Sequence, residues 1–181
     1  MTEPLSSAGK YTIRPAEPAD VAALHDLVVE LAVYEREPDA VDATADQMAA
    51  TFFPATGEPL VHALVAEVPD DDRGGERRIV GMAIWYVTYS TWLGRHGVWL
   101  EDLFVSPTQR GSGIGKALLT ALAGTVADRG YGRLEWWVLR WNEPSIGFYD
   151  SLGAEPMDEW LHYRLDGPEL ASLAATRGVS G

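Results

Sequence analysis

The chain has 181 residues, with 14 Lys and Arg against 27 Asp and Glu, a net charge of −13 at neutral pH, and no Cys. Its length suits one domain able to bury roughly 70% of its unfolded surface; a composition of 46% hydrophobic and 23% charged residues excludes a disordered chain, a disulfide scaffold and a Cys-based zinc module. The acidic balance repels phosphate backbones and anionic bilayers, so a cationic partner is expected, and neither nucleic acid nor a membrane.

The opening MTEPLSSAGK lacks the apolar stretch of a signal peptide, and residues 1–9 read as a flexible tail. The most apolar run, Ala117 to Ala127, is broken by Thr120 and Gly124 and falls short of the roughly 20 residues of a membrane span. The expected compartment is therefore cytoplasmic. A domain over 10–176 follows, with 177–181 as a C-terminal tail. Tyr11 to Arg14 reads as a short strand ended by Pro15. Val21, Leu24, Leu27 and Leu31 recur at helical spacing, which predicts a helix over 18–34 with Pro18 in its first turn. A second, weaker helix is expected over 44–51.

VHALVAEV (61–68) and IVGMAIWYVTY (79–89) read as a hairpin around an exposed, charged turn at 69–78. VWLEDLFV (98–105) is a third strand of this group, and a helix runs from inside GSGIGKALL to about Asp128, with Gly130 placed to end it. RLEWWVLR (133–140) reads as a strand, Asn142 caps a short helix with Pro144 in its first turn, a last strand is expected over 157–165, and a short helix over 168–175. The whole is an α/β domain with a mixed central sheet flanked by helices.

The richest stretch is LFVSPTQRGSGIGKALL (103–119), read as strand, Gly-rich turn, helix. Exposed backbone N–H groups at the start of a helix make an anion site suited to phosphates. A P-loop requires Gly where Arg110 stands and Ser or Thr where Ala117 stands; a dinucleotide fingerprint requires Gly where Lys116 stands. What fits is R-x-x-G-x-G, through Arg110, Gly113 and Gly115.

This strand, motif and helix resemble the coenzyme A-binding segment of the GNAT N-acetyltransferase superfamily. RPAEPAD (14–20) resembles its opening strand and first helix, and WNEPSIGFYDSLGA (141–154) its late helix, in family order. LAVYE (31–35), VTYSTWLG (87–94) and WLEDLFV (99–105) are similar to the diamine (spermidine/spermine) N-acetyltransferase branch. The resemblance covers roughly residues 11–170 and implies direct acetyl transfer from acetyl-CoA to a primary amine of a small cationic substrate, in a homodimer. The alternatives are a peptide or protein N-acetyltransferase and a non-catalytic acyl-CoA-binding regulatory module.

Residue by residue, the resemblance implies a proton acceptor at Glu101, acting through water, and a proton donor to the departing thiolate at Tyr149. It implies cofactor contacts from Leu103, Phe104, Val105, Arg110, Gly111, Ser112, Gly113, Ile114, Gly115, Lys116, Asn142, Pro144 and Ser145. A backbone N–H within Leu103–Val105 would polarise the thioester carbonyl. Substrate contacts fall on Tyr34, Glu35, Trp92, Glu101, Asp102, Glu159 and Trp160, where carboxylates attract ammonium groups and aromatic faces add cation–π contacts.

Adjacent carboxylates inside an apolar strand are costly unless paired or solvated at a site. Strict alternation puts Glu101 and Asp102 on opposite faces of the sheet. Asp102 reads either as satisfied by a buried donor or as part of the site. Ser90 stands where the polyamine enzymes carry an Asp, which turns the expectation toward a shorter amine or a lysine-like amino acid such as thialysine. His25, His62, His96 and His162 show no metal-binding spacing, so no metal is expected.

Overall fold

A computed structural model describes residues 5–7, 10–70 and 76–177. The rest of the expected N-terminal tail, the centre of the turn at 69–78 and the last residues of the C-terminal tail lie outside the described residues. The chain divides into two compact units, 1–137 and 138–181.

The first unit holds the sheet. Its strands are β1 (Ser6–Ser7), β2 (Thr12–Pro15), β3 (Val61–Asp70), β4 (Glu76–Ser90), β5 (Arg95–Val105) and β6 (Leu134–Glu135), lying in the order β1-β2-β3-β4-β5-β6. All neighbours are antiparallel except β5 and β6, which run parallel, so the sheet is mixed as expected. Three helices cover it: α1 (Val21–Tyr34), α2 (Ala45–Phe52) and α3 (Ile114–Asp128). A 3-10 turn at Pro18–Asp20 leads into α1. Thr44 caps α2, its hydroxyl accepting from the Gln47 N–H while the Gln47 side chain accepts from the Thr44 N–H.

Alternation along the strands sorts the core into two layers. Met82, Ile84 and Phe104 face Leu24 and Leu27 of α1 and Met48 and Phe52 of α2. The opposite face meets the buried Ile114, Leu118 and Leu122 side of α3. Gly81 lets α3 approach there: a Cβ on it would lie 3.1 Å from the Phe104 carbonyl and 3.3 Å from Ile114 Cγ2. Arg14 ties the front of the sheet together, its Nη1 donating to Asp20 at 2.6 Å and its Nε to Glu67 at 2.8 Å.

Two expected strands are corrected. The strand at 133–140 shrinks to Leu134–Glu135, which pair only with Val98 and Trp99. Two residues further along β5 the ladder shifts register, and a strand that changes its line cannot keep a parallel partner. Over 157–165 there is no strand: among the described residues of the 138–181 unit there is no other strand to pair with, and an isolated strand leaves its backbone groups unmet. That unit holds α4 (Glu143–Asp150) and α5 (Gly167–Ala175). Among the described residues no helix is long and apolar enough to cross a membrane.

Candidate active site

The register of β4 and β5 breaks in the middle of the carboxylate pair. Trp85 lies opposite Leu100 and Ile84 opposite Asp102, so Glu101 is the extra residue of a β-bulge. The bulge resets the alternation. Asp102 pairs with Ile84 and Trp99 with Tyr86, so both share the face that packs on α1 and α2. Glu101 joins them, because its Oε2 accepts from Trp99 Nε1 at 3.0 Å. The expectation of opposite faces is therefore corrected: the bulge turns both carboxylates to one side.

Glu35 follows the last residue of α1 and completes a cluster of three. Burial, then the charges of Glu101 and Glu35, push the Asp102 carboxyl up to about 7. Burial alone raises Glu35, and burial followed by Glu101 raises Tyr86. None of the three carboxylates makes an ion pair with a described Lys or Arg. Sequence reasoning did not single out Trp99, which anchors Glu101 and meets the Trp137 ring edge-on, centroids 4.7 Å apart.

Beyond the bulge, β5 runs on through Leu103–Val105 with β4 on one side. On the other side β6 has already ended, so among the described residues of the 1–137 unit that edge of Leu103–Val105 carries no strand. Arg110 holds the end of this edge. Its Nε donates to the Val105 carbonyl at 3.1 Å, and its guanidinium lies 4.4 Å from the Tyr34 ring centroid and 5.3 Å from that of Phe104. Arg110 thus joins the turn, β5 and the end of α1, where the sequence suggested only a cofactor contact.

The turn from Ser106 to Gly113 sets the start of α3. Ser106 donates to Glu30 of α1 at 3.1 Å, and Ser112 donates to the Gln109 carbonyl. Gly111 and Gly113 have φ of +76° and +89°, a region costly for any residue with a Cβ. Gly113 is the N-cap of α3, and no side chain caps it. The first N–H of α3 to bond back along the helix is that of Ala117, to the Gly113 carbonyl at 3.0 Å. The N–H groups of Ile114, Gly115 and Lys116 precede it, which is the arrangement an anion needs. Residues of this kind fit the pyrophosphate of coenzyme A.

Other expected site residues are carried by other elements. Trp92 sits in the β4–β5 turn, 87% exposed, on the order of 20 Å along the hairpin from the bulge. Ser90, beside it, is buried; its hydroxyl accepts from the Leu93 N–H at 3.2 Å and from Arg133 at 3.4 Å. In the 138–181 unit, Asn142 is buried and caps α4 by accepting from the Ser145 N–H at 3.4 Å, with Pro144 in the first turn. Tyr149 is half-buried on α4, its ring 5.3 Å from that of Phe148. Glu159 and Trp160 lie in an exposed turn closed by the Trp160 N–H on the Met157 carbonyl. Among the described residues no cluster of His, Asp and Glu is arranged to hold a metal.

Comparison with known proteins identifies the family. A model of the acetyltransferase (GNAT) family matches residues 21–154. The chain is 36% identical over 168 residues to a thialysine N-epsilon-acetyltransferase of Bos taurus, covering 90% of this chain and 96% of that one. It is 29% identical over 197 residues to an L-ornithine N5-acetyltransferase of Arabidopsis thaliana, covering 89% and 86%. Among solved structures, an integron cassette protein from the mobile metagenome of V. cholerae superposes with a TM-score of 0.72 at 25% identity, covering 92% of this chain and 99% of that one. The chain belongs to the GNAT family of acetyltransferases.

Proposed function

We propose that the protein acetylates the side-chain amine of a small cationic amino acid of the lysine type, thialysine among them, with acetyl-CoA as donor. The observation that carries this reading is the group of Glu35, Glu101 and Asp102 on one face of the sheet, without a described cation. Such a group favours an ammonium ion. The relatives named for thialysine and ornithine, both amino acids with a side-chain amine, point the same way. Ser90 supports a short substrate, because a buried hydroxyl engaged by Leu93 and Arg133 offers no charge to a distant second ammonium.

Acetyl-CoA supplies the activated acetyl group; the rest falls to the chain. The N–H groups of Ile114, Gly115 and Lys116, with the Lys116 charge, bind the pyrophosphate. The open edge of Leu103–Val105 orients the pantetheine arm, and one of its N–H groups polarises the carbonyl. Asn142, Pro144 and Ser145 complete the cofactor contacts from the start of α4. Tyr34, Glu35 and Asp102 take the ammonium end of the substrate, with Glu159 and Trp160 as outer contacts; Trp92, on the order of 20 Å along the hairpin, is too far to touch so short a substrate. An alkyl ammonium has a pKa near 10.4, so removing its proton at neutral pH costs about 4–5 kcal/mol. Glu101 accepts that proton through water, and Tyr149 donates one to the departing thiolate. A homodimer and a cytoplasmic setting belong to the same proposal.

Coenzyme A release, followed with a thiol-reactive dye, tests the reading across thialysine, lysine, ornithine, putrescine, spermidine, spermine, an aminoglycoside and a basic peptide. With no Cys the enzyme adds no thiol background. Turnover strongest on the amino acids is the expected result. Turnover confined to spermine or to the peptide overturns the substrate assignment.

A further inference from the structure

An aromatic group stands beside the bulge on the face that carries the carboxylates. Tyr86 and Trp99 are direct cross-strand partners. The ring of Trp137, two residues beyond β6, meets Trp99 edge-on with centroids 4.7 Å apart. Packing at such a position asks only for apolar surface, which Phe or Leu supplies. Trp99 adds a polar contact: its Nε1 donates to Glu101 Oε2 at 3.0 Å.

That contact separates Glu101 from its two neighbours. Among the described residues no side chain donates a hydrogen bond to Asp102 or to Glu35, and burial raises both of their carboxyls, that of Asp102 to about 7 with the charges of Glu101 and Glu35 adding to it. The kind of donor matters as well. An indole offers one N–H, no acceptor and no charge. It holds a carboxylate oxygen in place without neutralising it as Lys or Arg would, and it cannot take up the proton itself. A cation here would also repel the ammonium group of the substrate. With Oε2 engaged, Oε1 is the oxygen of Glu101 that meets no described donor.

We propose that Trp99 is a positioning residue of the acetyl transfer: its indole N–H holds Glu101 Oε2, turns Oε1 toward the water that receives the amine proton, and so makes Glu101 rather than Asp102 the acceptor. Trp137, edge-on to the indole, keeps it in that orientation. The step moves one proton, from the ammonium to the water and from the water to Oε1, and leaves a neutral amine and a neutral carboxyl. The inference rests on the acetyl-transfer reading and on the place of Glu101 in it.

A double-mutant cycle tests the proposal: steady-state kinetics of the unaltered chain, Trp99→Phe, Glu101→Gln and the double variant, with acetyl-CoA and thialysine, or whichever amine of the panel above is turned over fastest. Phe keeps a ring against Trp137 and lacks the N–H. Trp99→Phe is expected to lower kcat about tenfold and to leave acetyl-CoA affinity unchanged by calorimetry. In the Glu101→Gln background the same substitution should change kcat by less than about twofold, because no acceptor remains to be positioned. A packing role would lower kcat by the same factor in both backgrounds. A second measurement needs no change at Trp99: its indole N–H signal in a nitrogen–proton correlation spectrum should move when Glu101→Gln removes the carboxylate. Unchanged kcat in Trp99→Phe, equal losses in the two backgrounds, or an indole signal that Glu101→Gln leaves in place overturns the role of Trp99 while Glu101 keeps its own. Unchanged kcat in Glu101→Gln overturns the acceptor reading, and the role of Trp99 with it.

Discussion

Glu101 is held from within its own strand. The Trp99 indole N–H fixes one of its carboxylate oxygens at 3.0 Å, which leaves the other to meet a proton. Replacing the carboxylate removes the acceptor, so Glu101→Gln is expected to lower kcat by about 10²-fold or more with little change in acetyl-CoA affinity. Tyr149→Phe is expected to do likewise, by about 10²-fold, because it removes only the proton offered to the thiolate. Steady-state kinetics beside calorimetric titration of acetyl-CoA separates the two quantities. Unchanged kcat in either variant removes the role assigned to that residue.

Asp102 gives the site its pH dependence. Its carboxyl is raised from 3.8 to about 7, first by burial and then by Glu101 and Glu35. Between those values the folded chain keeps a proton that the unfolded chain has lost. The stability from this group is therefore complete below the unfolded value and is lost as pH rises through about 7, by about 4 kcal/mol at most. Substrate binding runs the other way, since ionised Asp102 attracts an ammonium: KM for the amine is expected to fall as pH rises through about 7. Asp102→Asn should flatten both trends, which denaturant unfolding and KM measured across this range will show.

At the scale of elements, the bulge in β5 and the turn before α3 shape the site. The bulge turns Asp102 toward α1 and ends the pairing with β6, which frees the edge of Leu103–Val105. The turn needs Gly113 at φ +89°. Gly113→Glu adds a strained Cβ and a negative charge where a phosphate must sit, so acetyl-CoA binding should fall below detection by calorimetry. Retained affinity contradicts a phosphate site at the start of α3.

The helices were legible because their ends are written locally: Thr44 with Gln47, Asn142 before Pro144, Gly130 after Asp128. The Gly-rich turn was legible for the same reason. The bulge was not, since it depends on β4 and β5 aligning across 15 and 11 residues, and periodicity in one strand carries no register. Its one trace was the polar pair set among apolar residues, where strict alternation would have put Asp102 in line with Val98 and Leu100. The strands expected at 133–140 and 157–165 had suitable residues but no partner edge, and a partner is not a local property. Of the site, the turn and the carboxylates were readable, whereas the Trp99 anchor and the Arg110 clamp on Tyr34 required the fold.

The molecule as a whole carries −13, and a cationic substrate approaches it down that field. Long-range attraction is screened within about 8–10 Å at physiological salt, so kcat/KM for the amine should decline as ionic strength rises, while kcat holds. The central claim is the transfer of acetyl to the side-chain nitrogen of a lysine-like amino acid. Its most direct test is the position of the acetyl group in the product, read by NMR after incubation of thialysine and acetyl-CoA with the enzyme. The account predicts a single product acetylated on the side-chain amine, formed about 10²-fold or more slowly with Glu101→Gln. Acetylation of the α-amine instead, or no small-molecule product although acetyl-CoA binds, would contradict it.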